Sequence, residues 1–111
     1  MAYSENIAQR VRDALKHLDH VEEKKMFGGL AFMVNGKMCL AVGATEVMYR
    51  IAPQLHEQEV KKAGCSTVVM GGKRYRGYVD VREENLKTEA DLKYWINLAL
   101  DFNEQLTKDK K

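Results

Sequence analysis

Apolar residues recur at helical spacing in two stretches of the chain. Ile7, Ala8, Val11, Ala14, Leu15 and Leu18 form one stripe, which predicts a first helix from about Glu5 to about Leu18. Ser4 stands where its hydroxyl can cap the first turn, and Glu5 suits that positive end. Arg10, Arg12, Asp13 and Lys16 fill the opposite, solvated face. Leu92, Trp95, Ile96, Ala99, Phe102 and Leu106 form the second stripe. Thr88 caps it, and Glu89 and Asp91 favour its N-terminal pole.

Between the stripes the period changes from helical to strand-like. Val21 to Phe27 alternates and predicts a short strand. Leu30 to Val34 and Met38 to Val42 are apolar at nearly every position, the pattern of strands covered on both faces. Asn35-Gly36 joins them. A type I′ turn needs positive φ at both central residues, so Asn-Gly here predicts a hairpin. Gly28-Gly29 is then a tight connection or bulge leading into it. After a turn at Gly43 to Thr45, Val47, Tyr49 and Ile51 alternate with Met48, Arg50 and Ala52. Pro53 ends that strand and suits the first turn of a helix. Leu55, Gln58, Glu59 and Lys62 make this second helix short, mostly polar and superficial, with Gly64 as its C-cap. Ser66 to Met70 and Lys73 to Arg82 read as two further strands joined at Gly71-Gly72.

The length of 111 residues fits one domain, 1–111, with frayed ends at 1–3 and 108–111. Lys and Arg number 18 against 16 Asp and Glu, a near balance that argues against an obligate nucleic-acid binder. Cys39 lies in an apolar run, Cys65 follows the second helix, and no Cys-x-x-Cys or Cys/His zinc spacing occurs. The N-terminus has no signal-peptide pattern and no run reaches the length of a membrane span. A cytoplasmic protein with reduced thiols, away from membranes, is the expectation.

The glycines of 26–42 do not form a phosphate loop. Gly36-Lys37 is followed by Met38, Ala31 stands where the upstream glycine belongs, and a strand rather than a helix comes next. His17, His20 and His56 all fall in polar settings and are expected at the surface. The carboxylates likewise read as solvated, with none in apolar surroundings that would raise its pKa. No catalytic residue, metal site or cofactor is therefore expected. Two features remain. Lys73, Arg74, Arg76 and Arg82 interleave with Tyr75 and Tyr78, a pattern that suits nucleic acid or a solvated edge strand protected by charge. Arg50 sits mid-strand among apolar neighbours and is expected to serve structure or an interface.

The strings MFGGLAFMVNGKM, RIAP, GYVDV and WINLALDF occur in one order. They carry a resemblance to the N-terminal domain of the TfoX/Sxy family, through Met26, Phe27, Gly28, Gly29, Phe32, Asn35, Gly36, Met38, Arg50, Pro53, Gly77, Val79, Trp95 and Phe102. The resemblance implies an α+β fold of the secretion-chaperone-like type: a mostly antiparallel sheet of about five to six strands with three helices. It also implies a link to regulation of natural competence in members that carry a second, C-terminal domain. This chain, ending at Lys111, is expected to be the N-terminal domain alone. The function expected is a non-enzymatic regulatory or adaptor domain acting through protein contacts, with a protein partner or a second copy of itself. The alternative is a nucleic-acid-associated regulator using strand 73–82. The candidate partner-binding residues are Arg50, Lys73, Arg74, Arg76 and Tyr78.

Overall fold

A computed structural model describes residues 3–26, 29–62 and 64–108. Helix α1 (Glu5–Leu15) is followed by strands β1 (Val21–Met26), β2 (Gly29–Val34), β3 (Lys37–Val42) and β4 (Glu46–Arg50). Helix α2 (Pro53–Glu59), strands β5 (Cys65–Met70) and β6 (Lys73–Arg82), a single 3₁₀ turn (Glu83–Asn85) and helix α3 (Glu89–Lys108) complete the chain. The strands form one antiparallel sheet in the order β1-β2-β3-β4-β6-β5. Among the described residues the fold is α+β, with three helices and six strands, as the sequence predicts.

The helix starts are those expected. Ile7 donates its N–H to Ser4 Oγ at 3.3 Å, and Asp91 donates to Thr88 Oγ1 at 3.0 Å. Helix α1 ends at Leu15, three residues short of the predicted end, and Leu18 turns back to donate to the Leu15 carbonyl. Pro53 opens α2 at its first turn. The Asn35-Gly36 turn has φ of 54° and 79°, the positive pair a type I′ hairpin requires. Phe27 and Gly28, and with them the expected tight connection, lie outside the described residues, as do residues 1–2 and 109–111.

The sheet has two unlike faces. Helices α1 and α3 cover one, burying Ile7, Val11, Leu15, Leu92, Trp95 and Ile96 against Phe32, Leu40, Val47, Tyr49, Val79 and Val81. Trp95 stacks on Tyr49, with centroids 5.7 Å apart. Burial pushes the Tyr49 phenol up, and its hydroxyl has no hydrogen-bond partner among the described residues. Cys39 is the extra residue where the β2–β3 register shifts between Phe32 and Met33. Its thiol is buried with this core and pushed up to about 12 by desolvation; neither it nor Cys65 forms a disulfide. On the opposite face Ala31, Met38, Ala41, Met48 and Val68 form a second buried cluster, with Met33 and Tyr78 packed on it. Among the described residues, no helix residue belongs to that cluster. The central hairpin is thus buried on both faces, as its unbroken apolar runs require.

Three expectations are corrected here. Helix α2 is not superficial: His56 and Glu59 are 2% and 3% exposed. A two-turn helix buries polar groups when its neighbours supply matching donors and acceptors, and these do. Gly64 has positive φ but is not the C-cap of α2, which ends at Glu59 with Val60 in the right-handed region. Strand β6 is not an edge, since it lies between β4 and β5; only its first residues, before Tyr78, lack a β4 partner. The edges are β1 and β5, and β1 carries Glu22, Glu23, Lys24 and Lys25 exposed, charges that discourage further strand pairing.

Candidate functional site

A second irregularity of the sheet, besides the β2–β3 register shift at Cys39, lies in the middle of β6. Thr67 of β5 opposes Val79, but the next residue, Val68, opposes Tyr75. Arg76, Gly77 and Tyr78 are therefore extra to the β5–β6 ladder and form a bulge. A glycine at this place has φ of 92°, a conformation that an L side chain rarely adopts. A Cβ on Gly77 would also sit 3.2 Å from the Ile51 carbonyl oxygen. Bulges of this kind redirect neighbouring side chains.

His56 holds the bulge in place. Its Nδ1 accepts the Gly77 N–H at 2.9 Å, which leaves Nε2 as the protonated nitrogen, donating to Thr67 Oγ1 at 2.9 Å. Both ring nitrogens are satisfied only in the neutral form. Burial, opposed by Glu57 and assisted by Arg76 and Arg74, holds the His56 pKa below its ordinary value. The Gly77 carbonyl in turn accepts the Ile51 N–H at 2.8 Å. The expectation of a surface histidine at position 56 is overturned, because the partner that buries it is a backbone group in another element. His17 and His20 are exposed, as expected.

Around this bulge Arg50, Ile51, Pro53, Arg76, Gly77, Tyr78 and Phe102 enclose a cleft of about 70 Å³. Arg50 ends β4 opposite Tyr78 in the register. Its guanidinium carbon lies over the Tyr78 ring, 5.5 Å from the centroid, and over the Phe102 ring at 5.6 Å. Arg76 is exposed and donates from Nε to the Pro53 carbonyl at 3.2 Å. Of the five residues that the sequence singles out, Arg50, Arg76 and Tyr78 are brought together here. Lys73 and Arg74 are exposed toward the β5–β6 turn and do not line the cleft; Arg74 reaches Thr67 Oγ1 at 3.5 Å. His56 and Phe102 were not expected in this place. A glycine inside the alternating pattern of β6 was the sequence signal for the bulge.

Two carboxylates also depart from the solvated reading. Glu59 is buried beside α3, where Tyr94 OH donates to it at 2.7 Å, Lys62 Nζ lies at 2.9 Å and Gln58 Nε2 donates at 3.1 Å. Burial pushes its pKa up, but the hydrogen bonds from Lys62, Tyr94 and Gln58 outweigh this and hold it below the usual range. Lys62 also lies over the Tyr94 ring, 4.0 Å from its centroid. This cluster joins α2 to α3. Asp80 opposes Met48 on the helix-free face, and burial, with Glu46 adding repulsion, raises it to about 6. Among the described residues no group of His, Cys, Asp and Glu could hold a metal ion, and no helix is long and apolar enough to cross a membrane.

These features define a small α+β domain: an antiparallel sheet with helices packed against one face and a bulged inner strand. Residues 13–103 match the TfoX N-terminal domain, and the chain belongs to that family. The match spans every strand, α2 and all residues of the cleft. Searches of curated proteins and of solved structures found no match.

Proposed function

We propose that this is a non-enzymatic regulatory domain that works through protein contacts made by the helix-free face of its sheet, in competence-related regulation as its family suggests. The observation that carries the reading is the absence of any helix residue from the second apolar cluster of the described residues. Among the described residues, the side chains packed in that cluster all come from strands. They are small (Ala31, Ala41) or long and flexible (Met33, Met38, Met48), and methionine surfaces adapt to the shape of a partner. A second copy of the chain is the simplest partner, since a two-fold pair buries the same face twice. The cluster itself is only 0–8% exposed, so the face is less bare than the sequence pattern suggests. Met33 and Tyr78 at its margin are the side chains a partner meets first.

Sedimentation velocity over a concentration series tests this. Wild-type protein is expected to self-associate, and Met33→Glu to remain monomeric with unchanged thermal stability. A wild-type monomer at every concentration overturns the choice of partner. The nucleic-acid reading keeps one observation in its favour, the exposure of Lys73, Arg74 and Arg76. It requires binding that falls steeply with salt, because phosphate contacts release counterions. Salt-insensitive or absent binding to mixed DNA and RNA removes it.

A further inference from the structure

The bulge cleft carries chemistry that a face-to-face protein contact does not use. A guanidinium has five N–H donors and no acceptor. Arg50 is half-buried, yet among the described residues it has no carboxylate within 4.0 Å and no hydrogen-bond acceptor. The rings of Tyr78 and Phe102 stabilise its charge through their faces but accept none of its hydrogen bonds. Arg76 adds a second cation to the same cleft. Its Nε is committed to Pro53, and among the described residues its terminal nitrogens have no hydrogen-bond partner, which leaves them available to a ligand. Among the described residues no Asp or Glu lines the cleft. Its volume of about 70 Å³ has room for one carboxylate or phosphate group. The walls are held by the Gly77 bulge, itself fixed by His56 and Ile51, so the two arginines are placed before any ligand arrives.

We propose that this cleft is a receptor for a single oxyanion, a carboxylate or phosphate group, gripped by the planar donor fork of Arg50 and by Arg76 at the rim. The arrangement matches how arginine recognises such groups, with parallel N–H donors meeting two oxygens. Two sources offer this chemistry: a free small anion and an acidic side chain of a bound protein. The inference does not depend on the sheet face docking a partner, and its readout is separate from sedimentation.

The test is a nitrogen–proton NMR titration of the full chain at low ionic strength. The probes are inorganic phosphate, succinate and a capped peptide containing one glutamate, with sodium chloride at matched ionic strength as reference. Saturable shifts are expected at the Arg50 Nε–H and at the amides of Gly77, Tyr78 and Phe102. Arg50→Gln should weaken binding by about tenfold or more, the loss of a charge-assisted pair. Arg50→Lys should weaken it nearly as much, because an ammonium keeps the charge but not the fork. Arg76→Gln, an exposed position, should weaken it less and leave the fold intact. Tighter binding of the free anions assigns the site to a small molecule, and tighter binding of the peptide assigns it to a protein acid. Shifts that chloride reproduces, or an affinity unchanged in both Arg50→Lys and Arg76→Gln, overturn the proposal. Repeating the titration on Met33→Glu protein separates the two readings: retained shifts in a monomer show that the cleft works without the sheet contact.

Discussion

On one side of the sheet, twenty buried residues from strands, α1, α3 and the 3₁₀ turn's flank interlock, among them Phe32, Tyr49, Leu92 and Trp95. On the other side the five buried residues described, all from strands, do the same task with alanines, methionines and one valine. The polar groups differ in the same sense. Behind the helices, His56, Glu59 and Asn103 are each buried with hydrogen-bond partners. On the helix-free side, half-buried Asp80 has no salt bridge among the described residues, and at the sheet end Arg50 is stacked on two rings with no carboxylate of those residues within 4.0 Å. A face closed by large rigid side chains, where the Tyr49 hydroxyl is the described orphan and lies too deep to be reached, gains little from a partner. A face closed by flexible side chains, with charges left over, gains more. The difference is the physical basis of our proposal that one side carries stability and the other recognition.

Substitutions on each side can break that assignment. The largest effect is expected from Trp95→Ala, which empties the contact with Tyr49 and should cost about 3–5 kcal/mol in chemical denaturation. Met48→Ala on the other face should cost less, about 2 kcal/mol, at the low end for a buried methionine. Equal losses would mean that both faces carry the fold alike.

His56→Ala comes next. It strands the Gly77 N–H and removes the hydrogen bond to Thr67, for a loss of about 2–3 kcal/mol. The pH dependence has a definite sign. Burial holds the folded-state pKa of His56 below the ordinary 6.5, so the unfolded chain takes up the proton first. The stability that His56 contributes is complete above that value and is lost as pH falls through it toward the folded-state pKa. Denaturation midpoints at pH 7.5 and 5.5 should therefore separate for the wild type more than for His56→Ala. Identical separations would show that the ring titrates as if in water.

These polar sites also mark where sequence reading stopped. The elements were legible because their causes are local: stripes at helical spacing, an Asn-Gly turn with positive φ, a proline at a first turn, and caps at Ser4 and Thr88. The doubly buried hairpin was legible because both strands are apolar throughout. The buried polar residues were not, because their partners are distant in sequence. His56 meets a backbone group 21 positions away, Glu59 a hydroxyl 35 positions away, and Asn103 the Val34 carbonyl 69 positions away. Pattern alone sees such residues as polar and places them in water. The site was half legible. Strand alternation placed Arg50 beside apolar neighbours, and the basic stretch contained Arg76 and Tyr78. The glycine inside that stretch was the one signal for the bulge that joins them, while Phe102 looked like another member of the helical stripe.

The smallest effect is the most direct probe of the helix-free face. Asp80 is raised to about 6 by burial and by Glu46, from an ordinary 3.8. Below 3.8 the carboxyl is neutral in both states and costs nothing. As pH rises from 3.8 to 6 the unfolded chain ionises first, so stability falls through that window and the penalty is complete above it. Asp80→Asn should then stabilise the isolated domain by about 1 kcal/mol at pH 7, reduced from the full linkage value because water screens a partly exposed group. The gain should vanish near pH 3. Urea midpoints at the two pH values measure it, and no gain at pH 7 would mean that the carboxylate is well solvated and this face is ordinary surface. The same variant should weaken self-association, because a charge held at a cost in the free domain is useful only where a partner supplies the cation. Gain in the monomer together with loss in the pair is the result that a recognition face requires, and a structural face would give the first without the second.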